Sequence, residues 1–317
     1  MLGNYERNIE DVMKSKISDN VRNVLVCPHC GVSLHSSDQG ATCYACQSHY
    51  RYTKSGAIDL RIQRPKTYQH DFVIGTPLLP ESGFEFGLLR RNSNPEVDFS
   101  NCDVPYHLSK EIMSHFPKAK TDRSLMLDLG CGNMVHQKVC EHAGFEHVGL
   151  DYESEGASIL GDVHSLPFKD EAFEFILSIA VLEHIRFPFV AMKEAYRVLK
   201  PNGVFIGTVA FLEPFHGNSF YHHTHLGTYN SLQEGGFRIE KICPSNKWSV
   251  LVAQASMGLF PKMPRFFSKV VVMPIQMLHQ IWWKIGSIVT QHASATEIFR
   301  VRNTTGAFSF IARKYVA

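Results

Sequence analysis

The stretch that decides the fold is LMLDLGCGN, residues 125–133. A short apolar run followed at once by glycines is typical of a buried strand that ends in a tight turn. Gly130 and Gly132 let the backbone turn sharply and let a ligand approach closely. Asp128 adds a carboxylate at the same strand end. Because Val135 occupies the third glycine position of a dinucleotide fingerprint, and because an acid opposes a pyrophosphate, the turn favours a cationic ligand.

Short β-branched and aromatic runs alternate with helical patterns around this turn. Helices are predicted at 107–117, 134–143 and 188–199, and strands in HVGLD, FEFILSIA, GVFIGTV, FRIEKI and AFSFIARKY. This alternation predicts an α/β fold, in which helices cover both faces of a Rossmann-like, doubly wound sheet.

A series of motifs in register resembles the class I S-adenosylmethionine-dependent methyltransferases (methyltransferase type 11-like) over about residues 106–243. Asp-x-Gly-x-Gly at 128–132 looks like their motif I, and HVGLD and GDVHSLPF look like the two motifs that follow. FEFILSIAVLEHI is similar to the strand-four motif, and the run from Val190 to Phe205 resembles the next helix, turn and strand.

The resemblance implies a seven-stranded sheet, S-adenosylmethionine as the cofactor, and a final antiparallel hairpin. FRIEKI and AFSFIARKY would form that hairpin, with a helical insertion at about 250–305 between them. In the family, the acid at the position of Asp151 holds the ribose hydroxyls, and the residues at Asp162 and Val163 contact the adenine. The implied cofactor site is completed by Asp128, Gly130, Gly132 and Ser178.

Two Cys-x-x-Cys pairs lie in the segment 23–62, in the pattern C-x2-C-x12-C-x2-C formed by Cys27, Cys30, Cys43 and Cys46. Zinc prefers four soft, deprotonated ligands in a tetrahedron, and two such pairs supply them without a large core. We predict a β-rich ribbon with structural Zn²⁺ and no open position for catalytic zinc. A ribbon that folds without metal is the alternative. The segment resembles the Trm112-like zinc proteins that activate methyltransferases, fused here to the catalytic chain.

The segment that follows the fifth strand of the predicted fold, FLEPFHGNSFYHHTHLGTY, is rich in histidine. In a doubly wound fold this loop leaves the ligand-binding edge of the sheet, and histidine accepts protons near neutral pH. His216, His222 and His223 are therefore the candidate catalytic bases. A purely structural histidine-rich loop is the alternative.

The stretch 269–290 is the most apolar of the chain, and polar residues interrupt it. Its apolar residues recur at steps of three or four, which predicts an amphipathic helix rather than a membrane-spanning one. The residues of this stripe are Val271, Ile275, Leu278, Trp282, Ile285 and Val289. Three interpretations stay open for the helix: packing on the domain's own core, a lid over an apolar substrate, or a peripheral membrane contact.

The chain has 317 residues, with 44% apolar and 20% charged, a composition that excludes disordered, collagen-like and coiled-coil classes. We predict an N-terminal helical segment at 1–22, the ribbon at 23–62, a linker or lid at 63–105 and the catalytic domain at 106–317. The N-terminus has no apolar signal region. We therefore expect a cytoplasmic protein, with the membrane surface as an alternative location.

The favoured function is methyl transfer to a hydroxyl or amine of a small-molecule, glycan or lipid-linked acceptor. One alternative is an rRNA or tRNA base methyltransferase whose ribbon binds RNA. A net charge of +2, and a strand-four end that reads Ser178-Ile179-Ala180 rather than N-P-P-Y, make nucleic acid the less favoured partner. A non-catalytic adaptor that binds the cofactor is the second alternative.

Overall fold

The computed structural model describes residues 16–73, 75, 84, 86–245, 247–290 and 297–315. Of the helical segment predicted at 1–22, residues 1–15 lie outside the described residues, as do parts of the predicted linker and insertion. The described remainder contains α1 (Asp19–Arg22), which begins where the Ser18 hydroxyl accepts a hydrogen bond from Val21 N. Such a cap satisfies an N–H that the first helical turn leaves unpaired.

The N-terminal module is a three-stranded antiparallel sheet in the order β1-β2-β3. Its strands are β1 (His35–Ser37), β2 (Gly40–Cys43) and β3 (Ser48–Arg51). The predicted β-rich module is thus confirmed in its strand content. Leu25 makes a bridge to Phe168, and Val26 N donates to Pro167 O at 3.0 Å, so the module is hydrogen-bonded to the main domain.

The main sheet has eight strands in the order β10-β11-β9-β8-β5-β6-β7-β4. They are β4 (Ile58–Asp59), β5 (Leu125–Leu129), β6 (Glu146–Asp151), β7 (Ile159–Leu160), β8 (Phe173–Ile179), β9 (Leu199–Ala210), β10 (Arg238–Pro244) and β11 (Ala307–Arg313). Neighbours from β9 to β4 pair in parallel, whereas β11 is antiparallel to both β9 and β10. The predicted doubly wound sheet and its final antiparallel hairpin are confirmed.

The strand beyond the predicted seven is β4, which comes from the end of the predicted ribbon segment. Ile58 and Asp59 pair with Ile159 and Leu160 of β7 at the edge of the sheet. Two residues are too short for periodicity to reveal a strand, which explains why sequence patterning did not count it. The ribbon and the catalytic sheet are therefore joined through continuous chain and shared strand pairing.

Helices cover both faces of the sheet, as predicted. They are α2 (Lys110–Met113), α3 (Gln137–His142), α4 (Pro188–Val198) and α5 (His225–Gly235). Leu125, Leu127 and Leu129 of β5 point into a core shared with the ribbon, α4 and α5. Met126 points to the opposite face, where it packs with residues of α2 and α3. Alternation along β5 thus places Asp128 on the α3 side.

The insertion between β10 and β11 is helical, as predicted. It contains α6 (Val250–Ala253), a π-helical turn (Gln254–Leu259), α7 (Arg265–Thr290) and α8 (Glu297–Thr304). The interpretation that the apolar stripe of α7 packs on the domain's own core is wrong, because Leu278 is 68% exposed and Trp282 is 70% exposed. In the described part of the chain, no helix is long and apolar enough to cross a membrane.

Candidate active site

The glycine turn after β5 is open on one side. Both glycines have left-handed backbone angles, with φ of 75° at Gly130 and 52° at Gly132. A Cβ on Gly130 would lie 2.5 Å from a methyl carbon of Val181, so only glycine fits there. A Cβ on Gly132 would meet no atom within 4 Å. Space is therefore open beside Gly132 at the carboxyl end of the central strand, where such sheets bind ligands.

Asp151 ends β6 and ties this strand to the glycine turn. Its Oδ2 accepts a hydrogen bond from Gly132 N at 2.9 Å, and its Oδ1 accepts from the N–H groups of Glu153 and Ser154. Because a carboxylate oxygen has two lone pairs, Oδ2 keeps the capacity to accept from a ligand hydroxyl. Asp151 is half-buried, and Tyr152 beside it is exposed.

Asp128 lies beneath the turn, completely buried. Its Oδ2 accepts hydrogen bonds from His136 Nδ1 at 3.3 Å and from His147 Nε2 at 3.1 Å. Burial opposes its ionisation, but these two bonds outweigh burial and lower the pKa of Asp128 below its ordinary value. The structure therefore makes Asp128 a support for the turn, because no part of its carboxylate is open to a ligand.

His136 carries the proton of this buried pair. Its Nε2 lies 3.1 Å from Tyr106 O and its Nδ1 faces Asp128, so both ring nitrogens donate and the ring is cationic. Burial lowers the pKa of His136, but Asp128 and the Tyr106 carbonyl raise it further, to a value above the ordinary 6.5. The Asp128–His136 pair thus links the glycine turn to the segment that contains Tyr106.

The residues predicted for the adenine side lie after β7. Asp162 Oδ1 accepts from His164 N at 2.9 Å and from His164 Nδ1 at 2.6 Å. Burial opposes the charge of Asp162, but these bonds lower the pKa of Asp162 below its ordinary value. Val163, the next residue, is half-buried. Ser178 is different, because it is the second-last residue of β8 and its side chain is fully buried.

A cavity of about 990 Å³ lies beside the glycine turn, between the ends of β8 and β9, the segment 104–112 and the insertion. Its floor includes Ile179 and Ala180, and Val181, the next residue, packs against Gly130. The opposite wall includes Tyr106 and Trp248. Val181 therefore separates Gly130 from the residues that line the cavity, and the cavity is large enough for a small organic molecule.

Of the three predicted histidines, His216 lines this cavity. Its Nδ1 lies 3.3 Å from Glu213 Oε2, although the two atoms are not aligned for a hydrogen bond. Burial lowers the pKa of His216 below the ordinary 6.5, and the neighbouring rings of His184 and His222 lower it further. His216 is therefore neutral near pH 7 and can accept a proton.

The other two histidines lie outside the cavity lining. The ring of His222 is 6.2 Å from that of His216, between ring centres. His223 is buried, and its Nε2 donates to Leu182 O at 3.3 Å. Burial also lowers the pKa of His223. The structure thus gives His223 the contacts of a residue that anchors the loop, and it places His222 as a neighbour of His216.

Sequence reasoning missed two acids beside this loop. Glu183 is completely buried, its carboxyl oxygens have no hydrogen bond, and its carbonyl accepts from the N–H groups of Phe220 and Tyr221. Burial raises the pKa of Glu183 to about 7, and the nearby Glu213 contributes to the rise. Glu213 in turn accepts from Trp248 Nε1 at 2.6 Å. One sequence signal could have identified Glu183, namely its position beside His184 in the strand-four motif.

The four predicted zinc ligands lie together. The sulfur atoms of Cys27, Cys30, Cys43 and Cys46 all lie within 4.8 Å of one another. Four thiols at such separations fit one tetrahedral Zn²⁺, whose Zn–S bonds are about 2.3 Å long. Four cysteines leave no open coordination position, so an ion held here is structural.

The comparison with protein families agrees with this geometry. Residues 127–207 match the family model described as a methyltransferase domain. The matched part is about a quarter of the chain. It contains the glycine turn, Asp151, Asp162 and the floor of the cavity, and it stops before His216.

Two curated relatives match part of this chain. A chain of Encephalitozoon cuniculi, provisionally named a methyltransferase, is 38% identical over 91 residues, which are 26% of this chain and 43% of that relative. The human arginine-hydroxylase NDUFAF5 is 29% identical over 129 residues, 36% of this chain and 35% of that relative. The chain thus spans less than half the length of either relative.

Solved structures show similarity at lower identity. One is a complex between the Haloferax volcanii Trm112 methyltransferase activator and a methyltransferase, matched with a TM-score of 0.44 and 16% identity over 66% of this chain and 90% of that one. Another is an S-adenosylmethionine-dependent methyltransferase from Mesorhizobium loti, matched with a TM-score of 0.40 and 15% identity over 64% and 95% of the two chains.

The glycine turn permits a test that separates folding from ligand binding. We expect Gly132→Ala to stay folded at a cost of about 1–2 kcal/mol for its left-handed φ of 52°, because the new methyl group meets no atom. By filling that space, it should weaken S-adenosylmethionine binding at least about tenfold. Gly130→Ala should instead lower the unfolding temperature, because its methyl group would collide with Val181. Calorimetric titration and thermal melts measure the two effects. Unchanged affinity in folded Gly132→Ala would place the cofactor elsewhere.

The buried Asp128–His136 pair predicts a pH-dependent contribution to stability. The folded state lowers the pKa of Asp128, so the stability that Asp128 contributes is lost as the pH falls through that lowered pKa. The folded state raises the pKa of His136, so the stability that His136 contributes is fully present below pH 6.5 and is lost as the pH rises through the raised pKa. We expect Asp128→Asn to lower the unfolding free energy by about 3 kcal/mol at pH 6.

That deficit should shrink as the pH rises above 6.5 through the raised pKa of His136. Denaturant melts from pH 5 to 9 measure it. The exposed Asp122 provides the control Asp122→Asn, for which no such pH dependence is expected. A deficit that stays constant across this range would contradict the charged state assigned to His136.

Proposed function

We propose that this chain transfers a methyl group from S-adenosylmethionine to a hydroxyl or amine of an acceptor bound in the cavity beside the glycine turn. The observation that carries the proposal is the position of this cavity. Its floor, Ile179 and Ala180, is continuous with Val181, which touches Gly130, and its wall contains His216. A ligand on the turn and an acceptor in the cavity would therefore be neighbours.

The cofactor fits the residues at the edge of the sheet. The space beside Gly132 accommodates a ligand, Asp151 Oδ2 can accept from a ribose hydroxyl, and Val163 offers backbone groups to an adenine. The Asp151 carboxylate beside the turn favours a cationic ligand over a pyrophosphate, whereas the charge of Asp128 is balanced by His136. Asp128 acts through His136 and the turn rather than through atoms open to the ligand, whereas Asp162 binds His164 through Oδ1 and keeps a side chain that is 23% exposed.

The reaction requires positioning and the removal of one proton. S-adenosylmethionine, when bound, supplies an electrophilic methyl group, which joins the acceptor oxygen or nitrogen as the carbon–sulfur bond breaks and its electron pair stays on sulfur. The cavity holds the acceptor in line, an effect worth about 7–11 kcal/mol in favourable cases. His216 takes the acceptor's proton on Nε2, because its Nδ1 is buried.

The cavity wall favours a small-molecule, glycan or lipid-linked acceptor. Tyr106 and Trp248 present aromatic rings, Met257 and Met263 add flexible apolar surface, and Lys269 adds a cation. Aromatic faces and methionines suit sugar rings and alkyl chains. A net charge of +2 gives no general attraction for a nucleic acid. We place the protein in the cytoplasm or at the inner surface of a membrane.

We also propose that the cysteine cluster holds one structural Zn²⁺ and that the ribbon is a built-in support of the cofactor site. Pro28 O, between the first two cysteines, accepts hydrogen bonds from Ser165 Oγ and from Lys66 Nζ. Ser165 lies three residues after Asp162. The metal-bound turn therefore touches the loop that would hold the adenine.

Methyl transfer from tritiated S-adenosylmethionine to fractionated cell extract tests the proposal. We expect label in the small-molecule or lipid pool with the native chain and much less with Gly132→Ala. Label in RNA would overturn the proposed acceptor class, and no label with intact cofactor binding would identify an adaptor. Mass spectrometry of the product distinguishes a gained CH₂ from a gained oxygen, which is the change that the name of the human relative implies.

A further inference from the structure

Helix α7 has an inner face that contacts the protein. Val272 is 5% exposed and packs with Val252 and Ala255. One turn later, Gln276 Nε2 donates to Ser249 Oγ at 3.3 Å. On the same side of the helix, the ring of Trp283 packs against the ring of Phe299 in α8, with 5.7 Å between the ring centres. These contacts fix the rotation of α7 and so determine which residues point away from the protein.

The outer face of α7 is apolar and exposed. We define it by six residues that are 45–77% exposed: Val271, Ile275, Leu278, Ile281, Trp282 and Ile288. With about 100° per residue, its edges at Ile275 and Ile288 lie about 140° apart around the helix. A soluble monomer rarely leaves so continuous an apolar surface in water. The outer face therefore needs an apolar environment that the described chain does not provide.

The charges around α7 have one sign. No Asp or Glu occurs between Glu240 and Glu297. Lys262, Lys269 and Lys284 are exposed, and helical geometry places Lys269 and Lys284 on the flank between the two faces. A broad apolar face bordered by lysines is complementary to a surface that is apolar inside and anionic outside.

We propose that α7 docks this protein onto an anionic lipid bilayer. The outer face lies at the level of the upper acyl chains, Trp282 lies at the interface, and the lysines contact lipid phosphates. A second copy of the chain fits less well, because its α7 would bring the same lysines together without a carboxylate to pair with them. The outer face is also wider than the narrow seam by which coiled coils associate.

Docking would bring the acceptor cavity to the membrane. Met263, Pro264 and Lys269, at the beginning of α7, belong to the cavity wall. An acceptor carried on a lipid could then enter the cavity without leaving the bilayer. This last step rests on the proposed function, whereas the docking itself does not, and the two are tested by different measurements.

Vesicle co-sedimentation of the full, zinc-loaded chain tests the docking. We expect binding to vesicles of phosphatidylcholine mixed with phosphatidylglycerol, weaker binding to phosphatidylcholine alone, and loss of the difference at high salt. Trp282→Ser should weaken binding about tenfold through lost apolar burial. Lys284→Gln and Lys262→Gln should each weaken binding to anionic vesicles about fivefold. Tyr44→Ser, which removes a 63% exposed aromatic ring from the ribbon, is the matched control and should bind normally.

Two results would overturn the docking proposal. One is equal or absent binding to both kinds of vesicle. The other is a dimer in sedimentation velocity that Trp282→Ser dissociates, since this would show that a second copy covers the outer face. If the chain binds vesicles but methylates no acceptor, the docking proposal is supported and only the proposed function is contradicted.

Discussion

Replacing Cys43 by serine is expected to remove bound zinc and to lower the unfolding midpoint by on the order of 10 °C. Structural zinc contributes about 10–16 kcal/mol to the folding of zinc-finger peptides, and a site with three thiolates keeps only part of it. Cys43 is completely buried, in a core that also contains Leu127 and Leu129 of the central strand. Loss of the metal should therefore disturb the main domain as well as the ribbon.

The same variant should bind S-adenosylmethionine more weakly. Pro28 O holds Ser165 Oγ and Lys66 Nζ, and this contact depends on the turn that begins with the first two cysteines. Elemental analysis should find one zinc per native chain and almost none in Cys43→Ser. The control Cys102→Ser changes a half-buried cysteine outside the cluster and should keep zinc, midpoint and affinity. A metal-free native chain with the same midpoint would refute the structural role of zinc.

The features that the sequence predicted are those encoded by local chemistry. Gly130 and Gly132 are needed because the backbone itself turns there, and four cysteines at fixed spacing can meet around one ion. The parallel strands are visible because burial on both faces makes each a continuous apolar run. Such signals require no knowledge of distant neighbours.

The features that could not be predicted from the sequence depend on long-range packing. Asp128 precedes the glycines in a position open to ligand binding, yet His136 and His147 enclose it. The side chain of Ser178 is buried within β8. The raised pKa of Glu183 depends on its burial and on the nearby Glu213. For α7, periodicity identified the apolar face correctly but could not say whether that face meets the protein or the solvent.

His216→Ala is expected to lower kcat by about 10²–10⁴-fold for a hydroxyl or protonated amine acceptor, while the affinity for S-adenosylmethionine stays unchanged. The reason is that His216 lines the acceptor cavity and not the glycine turn. Single-turnover rates with the acceptor found by labelling measure the first quantity, and calorimetry the second. If this variant turns over at the wild-type rate, His216 is not the catalytic base.

The pH dependence separates a base from a residue that only shapes the cavity. Burial lowers the pKa of His216 below 6.5, and so do His184 and His222, so kcat should reach its plateau at a lower pH than an ordinary histidine would allow. In His222→Ala one of these neighbours is gone, and the ascending limb should move to higher pH while the plateau changes only a few-fold. Because His222 lies outside the cavity lining, only its electrostatic effect on His216 can shift the limb in this way. A limb that stays in place in His222→Ala would mean that some other group, such as the buried Glu183, takes the proton.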